Sequence, residues 1–182
     1  MSVVDGIGLA ELSAGSQHVA RTSRLIARDH EDVLLANIQV GGRARLEQNG
    51  RVAVLTPGAM AFVDSTRPYT LDFAGDFTQL VVKVPRSRLT HRSSTAATAV
   101  ELGSSGPGRM VGDFLVGLNR LRASDPTAAA ALLPHAVDLL DTCLDWAAGR
   151  ALPEDSAGAV TRERIHRFVR RHATDPVSYT HL

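Results

Sequence analysis

The stretch ARLEQ-NG-RVAVL, residues 44–55, constrains the chain more than any other. Asn49-Gly50 separates two β-prone runs by two residues. A type I′ turn needs positive φ at both central positions, and Asn and Gly reach that conformation at least cost. In the first run Ala44 and Leu46 alternate with Arg45 and Glu47, the pattern of a strand with one buried face. Similar short runs surround the hairpin: VLLANIQV, AMAFV, YTLDF and FTQLVVKV. Gly41-Gly42, Pro57-Gly58, Arg67-Pro68 and Ala74-Gly75-Asp76 supply turns between them. Six short strands between residues 33 and 85, with no helical periodicity among them, predict an antiparallel sandwich or barrel. Residues 1–32 carry only a weak pattern.

Helical periodicity begins later. Residues 86–108 are polar and small, and read as an exit loop. Met110, Val111, Phe114, Leu115, Leu118 and Leu121 then recur at three and four, which predicts a one-faced helix. Asp125-Pro126 marks a second start, with Asp as N-cap and Pro at the first helical position. Leu132, Leu133, Ala136, Val137, Leu140, Cys143, Leu144 and Ala147 follow, and Gly149 ends the run. Pro134 within it predicts a kink or a division into two shorter helices. Residues 150–160 read as a linker. TRERIHRFVRRHATDP, residues 161–176, reads as a basic amphipathic helix with Thr161 as cap and Ile165, Phe168 and Val169 on one face. The expected class is therefore α+β: a barrel over 1–108, a helical pair over 109–149, a linker, and a further helix.

A chain of 182 residues holds one domain, or one domain and a fragment, and buries roughly 70% of its unfolded surface without disulfides. Its net charge of +1 does not mark a general nucleic-acid binder, although arginines cluster near the C-terminus. No run of about 18 apolar residues predicts a membrane helix. The first residues lack the basic and apolar regions of a signal peptide. With a single cysteine, Cys143, these features point to the cytoplasm.

The search for catalytic chemistry finds no Gly-rich phosphate loop, no nucleophile elbow and no zinc-protease motif. The seven histidines include no pair at shared-face spacing, and the strands between 33 and 85 contain none. His30, in RDHED, reads as part of a solvated loop. Two polar groups stand out. DSTRPY places Asp64, Arg67 and Tyr69 at a strand end, where they face a ligand or close a tight connection; the connection is the commoner use. Gln39 and Gln79 interrupt apolar strands and point either into a barrel cavity or outward, outward being commoner.

Taken in order, the strand–NG–strand hairpin, the segment LTPGAMAFVDSTRPYTLDF, the segment DFTQLVVKVP and the later GSSGPGRMVGDFL resemble the N-terminal sensor domain of AraC/XylS-family transcription regulators, in its AraC-binding-like subgroup. The resemblance runs from about residue 20 to 176. It implies a cupin-like barrel that takes a small-molecule effector, with Gln39, Asp64, Arg67, Tyr69 and Gln79 as candidate contacts. It implies helices that make a homodimer, with Leu133, Val137, Leu140 and Leu144 as candidate contacts. It also implies a C-terminal domain of two helix-turn-helix units that reads DNA. Residues 161–176 match the first helix of that domain, where Arg162, Arg164, Arg167, Arg170 and Arg171 would approach the DNA backbone. VSYTHL, residues 177–182, departs from the family pattern, and its possible codons match a transposase adapter, so these six residues are expected to be translated adapter. Enzymatic cupins hold a metal on barrel histidines; this chain departs from that pattern, so no cofactor or metal is expected. The expectation is the sensing and dimerising part of a regulator, not an enzyme. The alternative is a metal-free cupin enzyme or a stand-alone binding protein, which would have no use for an Arg-rich helix after the linker.

Overall fold

A computed structural model describes residues 2–4, 6–29, 31–90, 95–103 and 105–149. The linker, the basic helix with its five arginines, and residues 177–182 lie outside the described residues. The six strands expected between 33 and 85 are all present: β4 (Val33–Gly41), β5 (Ala44–Gln48), β6 (Arg51–Leu55), β7 (Met60–Asp64), β8 (Tyr69–Phe73) and β9 (Phe77–Pro85). Three more precede them, β1 (Ser2–Val4), β2 (Ile7–Ala14) and β3 (Gln17–Arg21), followed by a single helical turn, α1 (Ser23–Ile26). The weakly patterned N-terminus is thus mostly strand. It lacks a clean signal because β2 starts buried and ends exposed, and β3 is largely exposed.

The strands form two sheets, one in the order β1-β2-β9-β4-β7 and the other β3-β8-β5-β6. Every pairing between named strands is antiparallel. Asn49 and Gly50 sit at φ 54° and 73°, the positive pair that the β5–β6 turn requires. Two helices follow, α2 (Pro107–Ser124) and α3 (Pro126–Ala147). The side chain of Asp125 caps α3 by accepting from the Ala128 amide at 2.9 Å. Gly149, at φ 68°, donates its amide to the Trp146 carbonyl and closes the helix. Pro134 is accommodated inside one continuous α3.

These elements stack as three layers. Along β4, Leu34, Ala36 and Ile38 face the helices, and join Leu80, Val82, Met60 and Phe62 in one core with Leu115, Leu118, Leu140 and Leu144. The opposite parity of β7, Ala61 and Val63, faces the second sheet, where it meets Ala44, Leu46, Leu55, Leu71 and Phe73. β7 is consequently buried along its whole length. Its outer edge is covered by residues 95–103, through isolated bridges from Thr98 to Phe62 and from Leu102 to Met60. The stretch read as an exit loop therefore also closes a sheet edge.

The close approach of two turns fixes one end of this sandwich. Gly42 sits at φ 73°, and a Cβ there would overlap the Asp76 carbonyl. Gly50 has the same φ but open space around it. Gly42→Ala should cost at least about 1–3 kcal/mol of backbone strain, and more than Gly50→Ala. Urea unfolding of the two variants checks this; equal midpoints would refute the tight-turn account.

Candidate functional site

Strand register gathers the polar side chains at one end of the second sheet. Arg21 pairs with Tyr69, Tyr69 with Gln48, and Gln48 with Arg51, so the four form a row across β3, β8, β5 and β6. Gln48 is fully buried, and its amide is committed to the chain. Nε2 donates to the Asp64 carbonyl at 2.8 Å and to that of Arg67 at 3.2 Å, while Oε1 accepts from the Asp64 amide at 2.8 Å. Gln48 thereby pins the DSTRPY turn to the second sheet. Sequence reading missed this role because Gln48, beside the Asn-Gly turn, looks like an ordinary hairpin residue.

Asp64 also serves this turn. Its Oδ1 accepts from the amide and hydroxyl of Thr66 at 2.9 and 2.6 Å, and from Arg86 Nη2 at 2.8 Å. Arg86 also donates Nε to Asp32 at 2.7 Å. Burial works against the Arg86 charge, but Asp32 and Asp64 outweigh it and hold its pKa above the ordinary value. Ser65 donates its hydroxyl to the Glu31 carbonyl at 2.7 Å and accepts from the Val33 amide at 3.0 Å. Of the two uses open to this segment, Asp64 serves the connection. Arg67 is exposed, and among the described residues its side chain reaches Asn49 Oδ1 alone, at 3.5 Å.

Tyr69 behaves differently. It is half-buried and lines a cleft of about 400 Å³ with Arg21, Gln48 and Pro68. Its hydroxyl has no hydrogen-bond partner among the described residues. Arg21, on the weakly patterned β3, was not singled out in the sequence. Its Nε donates to the Ser65 carbonyl and its Nη2 to Asp29 Oδ2, both at 3.0 Å. That hydrogen bond holds the Asp29 carboxyl below its ordinary range, so the pair persists at neutral pH and loosens as acid protonates Asp29.

Gln39 and Gln79 lie on the face of β4 and β9 that looks toward the second sheet. Both are buried, and they bond each other: Gln79 Nε2 donates to Gln39 Oε1 at 3.0 Å, and Gln39 Nε2 to the Gly41 carbonyl at 2.7 Å. Neither points outward, contrary to the commoner expectation. Gln39 lines a second cleft, against α2, away from Tyr69. The five candidate contacts therefore do not form one constellation, and Tyr69 alone reaches the cleft at the barrel end.

The candidate dimer contacts are also placed elsewhere than expected. Leu133, Val137, Leu140 and Leu144 are buried within the chain, in the core between α3, α2 and the first sheet. Their apolar surface is already covered, so they offer nothing to a partner in this arrangement. Periodicity identified a buried face correctly, but could not say what covers it. No group of three or more His, Cys, Asp or Glu side chains able to hold a metal occurs among the described residues.

Burial holds the Tyr69 phenol above its ordinary pKa, against an opposing pull from the Arg21 charge. The neutral phenol is favoured by folding, so stability should decline once pH exceeds the unfolded value of about 10. A tyrosinate absorbance titration should show a step above that pH which disappears in Tyr69→Phe. A curve without a late step would contradict the burial of this phenol.

Comparison with known proteins agrees with the geometry. The sequence model of the AraC-binding-like domain matches residues 1–145. An uncharacterized protein in the nit 5' region of Bacillus sp. (strain OxB-1) is 32% identical over 185 residues, covering 93% of this chain and 68% of that protein. The transcriptional activator NphR of Rhodococcus sp. is 30% identical over 142 residues, covering 75% of this chain and 42% of NphR. The crystal structure of the AraC-like transcriptional activator CuxR superposes with a TM-score of 0.69 over 94% of this chain and 63% of that one; at 15% identity the likeness is one of fold. With two antiparallel sheets backed by a helical pair and a family match over most of its length, the chain belongs to the AraC-binding-like domain family.

Proposed function

We propose that this chain is the effector-sensing and dimerising part of a DNA-binding transcription regulator that acts in the cytoplasm and is not an enzyme. One observation carries the reading: the outer face of the first sheet and the helical pair share a single continuous core. A ligand that biases the barrel then necessarily bears on the helices, because closely packed interiors transmit displacement. Such a ligand switches the protein only as far as it binds one arrangement better than the other. The similarity to NphR and CuxR, both activators by name, supports a regulatory role. DNA would be read by elements outside the described residues. No helix among the described residues is long and apolar enough to cross a membrane.

The reading puts the dimer seam along the border of the α3 core face, where Leu139 and Trp146 are only partly buried against the core. Leu132, Leu139 and Trp146 recur at seven-residue spacing and so share one face, the spacing of a helix–helix seam. Leu132 is 36% exposed, whereas Leu133 beside it is 4% exposed. The alternative, a metal-free cupin enzyme or stand-alone binder, leaves that stripe without a use.

Three measurements test the proposal. In the intact regulator, an effector titration that changes neither dimerisation nor DNA affinity would sink the sensing role. In analytical ultracentrifugation, Leu132→Arg should weaken the dimer at least about tenfold while leaving the circular dichroism unchanged. Leu133→Ala should instead lower stability by about 2–5 kcal/mol, as expected for a core leucine. A Leu132→Arg protein that still dimerises normally would move the seam elsewhere.

A further inference from the structure

We propose that the cleft between α2 and the near end of β4 binds a small organic monocarboxylate with an apolar body. This deepens the sensing role by naming a ligand class and a place for it apart from the Tyr69 cleft. The cleft encloses about 390 Å³, within the range of small-molecule sites. One wall is β4 with the Pro57-Gly58 turn, and the other is α2.

The α2 wall has an ordered chemistry. Arg109 and Arg120 lie eleven residues apart, about 20° around the helix and roughly 16 Å along it, so they stand at opposite ends of one face. Arg109 is already committed. Its Nε donates to Asp113 Oδ2 at 2.7 Å, and its guanidinium lies against Gly58, where a Cβ would overlap it. Gly58 has φ 90°, so the turn presents bare backbone to the arginine. Arg120, at the other end, is exposed and has no partner among the described residues, yet it lines the same cleft.

Between the two arginines the helix leaves room. Gly117 lines the cleft, and a Cβ placed there meets nothing within 4 Å. The floor is Ile38, Val40 and Val116, which are apolar. Gln39 adds no open polar atom, because its amide is taken by Gly41 and Gln79. An apolar body on this floor with a carboxylate at Arg120 satisfies every group present. At the other end Asp113 offsets the Arg109 charge, which leaves Arg120 as the cation of the cleft without a counter-charge among the described residues. A ligand seated here touches the sheet and α2 together, and so bears on the layer contact through which the barrel reaches the helices.

The test is isothermal titration calorimetry on the full chain at low salt, with phenylacetate and octanoate as probes and phenylacetamide as the uncharged match. Phenylacetate or octanoate should bind with a Kd of about 1 mM or below. Arg120→Gln should weaken binding about tenfold or more, phenylacetamide should bind at least that much more weakly than phenylacetate, and Gly117→Leu should remove binding by filling the cleft. Both substitutions are on exposed helix positions, and circular dichroism checks that they fold. Tyr69→Phe should change nothing. Absence of binding by both carboxylates, or binding that survives both Arg120→Gln and Gly117→Leu, overturns the assignment. Binding lost in Tyr69→Phe instead places the ligand at the barrel end: this inference then fails while the sensing role stands. Failure of the sensing role itself reads out separately, as DNA affinity of the intact regulator that ignores any bound ligand.

Discussion

Everything in this molecule depends on one sheet whose strands β4 and β7 are buried on both faces. The alternation along β4 sends Leu34, Ala36 and Ile38 to the helices, and Leu35, Asn37 and Gln39 toward the second sheet. In a half-solvated antiparallel sheet the second set would be wet and variable. Here Asn37 and Gln39 are as buried as the leucines, so each needs a hydrogen bond supplied by the chain. Asn37 donates Nδ2 to the Leu35 carbonyl at 3.3 Å, and the Gln39–Gln79 bond across β4 and β9 meets the need of Gln39 and supports the register of the two central strands. A slip of one residue would bury the wrong set on both sides at once.

Much of this was legible in the sequence, for reasons that differ by element. The β5–β6 hairpin was legible because Asn49-Gly50 has one favourable backbone solution. The start of α3 was legible because Asp125-Pro126 encodes a cap and a fixed φ. The N-terminal strands were not, since β2 and β3 pack on one side only over part of their length and leave Leu12 and Val19 exposed. The covering role of residues 95–103 was not, because isolated bridges from Thr98 and Leu102 have no periodicity to read.

The candidate site was less legible than the fold. Sequence identifies polar residues in apolar surroundings, but a ligand contact and a hydrogen-bonded strut look alike there. Asp64 and Gln48 are struts: the Gln48 amide is taken by the 64–68 turn, and Asp64 Oδ1 by Thr66 and Arg86. Tyr69 comes from the same segment but sits where β8 begins, and among the described residues its hydroxyl is left over. Pairing across strands decides between the two roles, and pairing is long-range. The burial of the leucines expected at a dimer seam was hidden for a related reason. Leu132 and Leu133 are equally apolar, and only the seating of α3 on α2 and the sheet determines which of them is covered.

The ion pairs also sort by position rather than by number. Residues 22–32 carry the chain from the second sheet to the first, and they are held by Arg21 to Asp29, Lys83 to Glu31, and Arg86 to Asp32. The carboxylates of these three pairs are well exposed, so screening leaves each pair worth little on its own. Arg86 to Asp64 is the exception, with side chains only 12% and 6% exposed. Removing either partner would strand a charge away from water, which is the costly case. The crossover is thus held at its far end by Ser65, which bonds Glu31 and Val33, and near its start by Arg21, which bonds both the carbonyl and the carboxylate of Asp29. Arg21 is also the residue that this crossover shares with the Tyr69 cleft, so a ligand that displaced its guanidinium would loosen the start of the crossover.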